Sequence, residues 1–185
     1  MSGPASGRGR PPLPWRVRVP GLLALAAGEV ALAVGYATRG TGWHFLLHSI
    51  VGAAAGLVVA TGLTLARRRP GVPLAWAVAG QVLSDGPDLL FQLGRVPHRR
   101  WMDLAVAHIE IHLVAQPLVT AVAAFLLASA GWWLAAHTSR RGAGGLLAGL
   151  AVTVVVAALV GARPLPVRLS DYDPAVVAWC GPQPP

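Results

Sequence analysis

The chain has 185 residues, 55% of them hydrophobic and 12% charged, with a mean hydropathy of +0.58. That composition excludes a disordered protein and sets the chain apart from soluble domains, which carry about 25% charged residues. The net charge is +8 and every basic residue is arginine. The arginines cluster between long apolar runs, as the charges of a multi-span membrane protein do, so the charge argues for topology and not for a nucleic-acid partner.

A helix needs roughly 20 apolar residues to cross the hydrocarbon core of a bilayer. On that scale the sequence predicts an all-α integral membrane protein, a compact bundle of about five transmembrane helices with its N-terminus cytoplasmic. Residues 1–18, rich in Gly, Pro and Arg, read as a polar tail, residues 19–163 as the membrane domain, and residues 164–185 as a second polar tail. The expected spans are 21–37, 43–66, 72–93, 104–136 and 143–162. Glu29 inside the first apolar run argues against a cleaved signal peptide. The third run is interrupted by Asp85, Gly86, Pro87 and Asp88, where Pro87 is expected to kink or end a helix. The fourth exceeds one bilayer thickness and contains Pro117, which leaves room for a short interfacial helix from Trp101 to about His112. With the N-terminus inside, inner loops hold nine arginines and outer loops six, the bias expected of a cytoplasmic N-terminus. The single Cys180 leaves no disulfide framework and no cysteine-based zinc site.

The few ionisable residues in the apolar region are concentrated. Glu29, Asp85, Asp88, Asp103 and Glu110, with His44, His48, His98, His108 and His112, all map to the outer ends of the first four spans under this topology. Such residues at membrane depth are costly and point to function by default. His44 and His48 are four apart and share a helix face. Gln81, Ser84, Asp85, Asp88 and Gln92 form one polar stripe at helical spacing, and His108, His112 and Gln116 would form another. Imidazole beside carboxylate suits a divalent metal, zinc foremost, with iron or manganese as alternatives. The expected ligands are His48, Asp88, His108, His112, His44 and His98. Asp85 and Glu110 are the expected catalytic carboxylates, as general base or as partners orienting a histidine. The bland reading of His44 and His98 is that of interfacial residues beside tryptophan. For the deeper groups it is a network of hydrogen bonds that holds the bundle together. Gly52 and Gly56 form a G-x-x-x-G pair that permits close helix packing.

Four short pieces occur in a recognisable order: His48-Ser49, Ser84-Asp85-Gly86-Pro87-Asp88, Pro97-His98-Arg99-Arg100, and Ala107-His108-Ile109-Glu110-Ile111-His112. Over about residues 44–116 this order resembles the membrane-bound metal-dependent hydrolases, also known as the LexA-binding, inner-membrane-associated hydrolases. The chain departs from the family pattern in having Leu89, Leu90 and Phe91 after Asp88, no Thr-His-Ser after His98-Arg99, and His112 where that family has Asp. The resemblance implies a hydrolase of the bacterial cytoplasmic membrane, with His48, Asp88, His98 and His108 carried over to its metal site. The leading expectation is therefore a metal-dependent hydrolase acting on a lipid-linked or phosphoester substrate. A haem-binding or other redox protein stands as one alternative, and a small transporter or assembly factor with a structural or proton-relaying His/Asp cluster as another.

Overall fold

The computed structural model describes residues 15–38, 42–67, 72–94 and 100–162. Among them five α-helices and two short 3₁₀ turns account for nearly all of the described residues, and no strand forms. The helices are α1 (Trp15–Thr38), α2 (Gly42–Arg67), α3 (Pro73–Gly94), α4 (Pro117–His137) and α5 (Arg141–Val160). Between α3 and α4 lie the 3₁₀ turns Arg100–Leu104 and Glu110–Leu113. Three helices, α2, α4 and α5, are long and apolar enough to cross a membrane. The apolar part of α1, Leu23–Thr38, is shorter.

Helix α2 is the central member and packs on α1, α3, α4 and α5. Its contact with α3 is set by small residues. A Cβ on Gly56 would collide with the Trp76 carbonyl, and one on Gly80 with the Gly52 carbonyl, so only glycine lets these two backbones touch. The same device closes the hairpin of α4 and α5, where a Cβ on Gly131 would stand 2.8 Å from the Gly144 carbonyl oxygen. Two apolar clusters fill the interior: Leu47, Val51, Ile111, Val114 and Ala121 near one end, and Ala54, Leu57, Ala124, Ala128 and Ala151 further along. Thr61 and Thr64 return their hydroxyl protons to the carbonyls of Leu57 and Ala60, at 2.8 and 2.7 Å, and so add no polar demand to that interior.

The distribution of polarity is inverted relative to a soluble domain. Leu146 is 76% exposed and Leu126 60% exposed, whereas His44, His48 and Asp85 are fully buried. An apolar exterior around a polar interior is what a bilayer solvent selects.

Two expectations are corrected. Residues 104–116 do not join the fourth helix, which begins at Pro117. Proline at the first helical position disfavours an α conformation at the residue before it, and Gln116 is accordingly non-helical, with φ −137° and ψ 69°. The 3.6-residue repeat of His108, His112 and Gln116 is therefore not a helical face. Pro87, in turn, does not end α3, which continues seven residues further to Gly94. A single proline removes one donor, and packing against neighbouring helices carries the helix past it.

Candidate metal centre

The glycine contacts fix where the histidines of α2 meet α3. With Gly52 against Gly80 and Gly56 against Trp76, the helices run antiparallel. The same register two turns on sets His44 level with Asp88 and His48 level with Ser84. The distances agree: His44 Nε2 lies 3.3 Å from Asp88 Oδ2, and His48 Nε2 lies 4.0 Å from the same oxygen.

The segment between α3 and α4 adds the third histidine. Asp103 Oδ1 accepts hydrogen bonds from the backbone N–H groups of Ile109, at 2.7 Å, and Glu110, at 3.1 Å. Val106 and Ala107 take left-handed conformations, with φ 61° and 53°, a cost that such residues bear only where the surrounding structure enforces it. Together these features reverse the chain and drive His108 into the bundle. Its Nδ1 donates to the Ser84 carbonyl at 2.9 Å, and its Nε2 lies 3.2 Å from Asp88 Oδ1. A carbonyl only accepts, so Nδ1 carries a proton and Nε2 is the ring nitrogen turned toward Asp88.

One ligand atom from each of His44, His48, Asp88 and His108 lies within 4.8 Å of the others, and all four residues are buried. A tetrahedral zinc-class ion with bonds of about 2.0–2.2 Å holds its donors about 3.3–3.6 Å apart. The two short His–Asp distances already match that spacing. The cluster can hold a metal ion. His112 adjoins it, with Nε2 3.0 Å from His48 Nε2 and its ring stacked on His44 at 4.4 Å between centroids. Tyr36 of α1 stacks on His44 at 4.5 Å, and Trp43 stands edge-on to His112. The cluster is thus walled by aromatic rings.

The other expected site residues lie elsewhere. Asp85 is buried, but it turns toward α1 and α2 and accepts from Ser49 Oγ at 3.5 Å. Gln81, on the same side, donates to Glu29 Oε2 at 2.9 Å and approaches Ser49 Oγ at 3.4 Å. The polar stripe of α3 therefore divides: Ser84 and Asp88 face the histidines, while Gln81 and Asp85 face Glu29. Glu110 opens the second 3₁₀ turn, half-buried, and joins the arrangement through its backbone N–H on Asp103. His98 lies outside the described residues. The sequence reasoning missed Tyr36, the Ser84 carbonyl and the bracing role of Asp103. Of these Tyr36 carried a signal, since it ends α1 close in sequence to His44. Comparison of the chain with family models, curated proteins and solved structures gives no match in any of the three.

Proposed function

We propose that this protein is an integral membrane metal-dependent hydrolase acting on a lipid-linked or phosphoester substrate, as its sequence resemblance also suggests. The observation that carries the reading is the convergence of His44, His48, Asp88 and His108 on one buried point, with the His108 ring locked by the Ser84 carbonyl. Two helices and a braced turn supply these donors, so the set is preorganised. Bound there, a zinc-class ion supplies Lewis acidity and lowers the pKa of water toward neutrality. His44, His48, Asp88 and His108 hold the ion. Tyr36 and Trp43 exclude bulk water from one side. His112, half-buried and beside His48, is the group placed to hold a proton at Nε2 during turnover, a role that fits it better than Glu110. With the N-terminus cytoplasmic, the centre lies near the outer leaflet of the bacterial cytoplasmic membrane, at a depth suited to a lipid headgroup.

Bis-histidine haem fits less well. His48 stacks on His108 at 4.1 Å and 17°, and His44 on His112 at 4.4 Å and 25°, which leaves no slot for a macrocycle between the paired rings.

The test is the metal content of the detergent-purified protein beside His48→Ala, Asp88→Ala and His108→Ala, together with hydrolysis of phosphoester and lipid diphosphate substrates. The reading expects close to one equivalent of metal and metal-dependent phosphate release in the wild type, both lost in the three variants. Metal content near zero in all four proteins would overturn it.

A further inference from the structure

A second polar cluster lies on the other side of α3, away from the histidines. It joins Glu29 of α1, Ser49 of α2, and Gln81 and Asp85 of α3. The Glu29 and Asp85 carboxyl groups belong to one hydrogen-bond network, in which Gln81 Nε2 reaches both Glu29 Oε2 and, at 3.4 Å, Ser49 Oγ, and Ser49 Oγ reaches Asp85 Oδ2. Each has one oxygen facing a protein donor: Gln81 Nε2 donates to Glu29 Oε2 at 2.9 Å, and Ser49 Oγ to Asp85 Oδ2 at 3.5 Å. The remaining oxygens, Glu29 Oε1 and Asp85 Oδ1, are buried and receive a hydrogen bond from no donor among the described residues. Asp85 itself is fully buried. The titratable groups around the pair are Asp88, one turn further along α3, and His48, next to Ser49 on α2. Among the described residues no arginine forms an ion pair with either carboxyl group.

Two carboxylates in one network, each with a buried oxygen that no donor among the described residues reaches, cannot both stay ionised, because each raises the cost of the other's charge and neither is compensated. A single proton between the two oxygens removes one charge and turns the repulsion into a charge-assisted O–H···O⁻ hydrogen bond. From this geometry we infer that Glu29 and Asp85 form a carboxylic acid–carboxylate pair, a proton-binding site that holds one exchangeable proton between α1 and α3. Uptake takes the pair from a charge of two negative to one negative, with no bond other than O–H formed. The pair titrates as a unit, and the proton belongs to neither residue alone. The inference does not depend on the metal centre or on hydrolysis.

Infrared spectroscopy of the full-length protein in phosphatidylcholine vesicles tests it without any activity assay. At neutral pH the wild type is expected to show one protonated-carboxyl C=O band that shifts in deuterium oxide. Glu29→Gln and Asp85→Asn are each expected to abolish it, since an amide in either position supplies the donor that the remaining carboxylate lacked. Asp88→Asn, which removes a metal ligand, is expected to leave the band in place, so that failure of the metal reading and failure of this one are distinguishable. Absence of the band in the folded wild type, or its survival in either amide variant, would overturn the inference. A band that appears only when sodium is withheld would overturn it in favour of a cation site. Should both amide variants fail to fold, Ser49→Ala decides: it retains both carboxyl groups and is expected to displace the band by removing the donor on Asp85. An unmoved band counts against the pair.

Discussion

Asp103 shows how far from the metal centre a ligand is decided. Its carboxylate fastens two successive backbone N–H groups directly after His108. Hydrogen bonds to a charged acceptor are worth about 1.5–3 kcal/mol each. Asp103→Ala is therefore expected to lower stability by about 1–3 kcal/mol and to weaken metal binding about 10- to 100-fold, the usual cost of losing a partner behind the ligands. Denaturant titration and competition with a chromophoric chelator measure the two effects. Asp103→Asn, which keeps an oxygen acceptor, should fall between wild type and alanine in both. At this scale the sequence was most informative. His44, His48, Asp88 and His108 were all readable as candidate ligands, because an ionisable group in an apolar run has few uses. Asp103 was not readable as a brace, because its partners are made by a reversed backbone that no helical spacing describes. Asp85 and Asp88 lay on one polar stripe, read as catalytic carboxylate and as ligand, and the turn of Asp85 toward α1 and α2 was not readable there.

At the level of elements, the helix contacts made by glycine predict two different failures. Gly80→Ala forces α2 away from α3, and since the His44–Asp88 register depends on that contact, both stability and metal affinity should drop. Overpacking of this kind costs about 1–3 kcal/mol. Gly131→Ala forces α4 from α5 by the same mechanism. It is expected to lower the melting temperature and to leave metal affinity within about twofold, because no ligand rides on those helices. Paired thermal melts and metal titrations of the two variants check the contrast, and equal loss of metal affinity in both would contradict the register argument. The positions of four helices could be read from apolar runs. Gly52 and Gly56 were visible as a pair, but their partner Gly80 was not, since a small residue in a polar stripe has no distinctive pattern. The failure lay in residues 104–116, where histidines spaced by four mimic a helix while Pro117 favours a non-helical residue before α4.

For the molecule as a whole, the buried His/Asp group is the place from which an ion would act on the fold. A bound ion stabilises the fold by mass action, about 2.7 kcal/mol when its free concentration is 100 times the dissociation constant. Chelation followed by dialysis should lower the melting temperature by several degrees in detergent, and zinc should restore it. The same treatment of His108→Ala should change little. Orientation has its own measurement: if the N-terminus is cytoplasmic and all five helices cross, a C-terminal tag is accessible from outside intact cells. A cytoplasmic tag would move the metal centre to the inner face. Composition made the membrane reading plain before any element was assigned. The pairing of Glu29 with Asp85 was hidden because nothing in a sequence says which faces of α1 and α3 meet.

Asp88 also has a topological meaning. Segments that meet around it stand as far as 64 residues apart in the chain, as His48 and His112 do. An ion held there is a reversible crosslink that closes a long loop, and such closure removes conformational entropy from the unfolded ensemble. The turn at residues 100–113 carries two strained backbone positions and is tied down through His108 and Asp103 as well as by the buried side chains of Met102 and Ile111. It should accordingly be the first part released when the ion leaves. Hydrogen exchange is expected to show rapid labelling confined to this turn in the metal-free protein, with α2, α4 and α5 still protected. In the loaded protein the turn should exchange only with global opening, so that the ion governs the order in which the molecule comes apart.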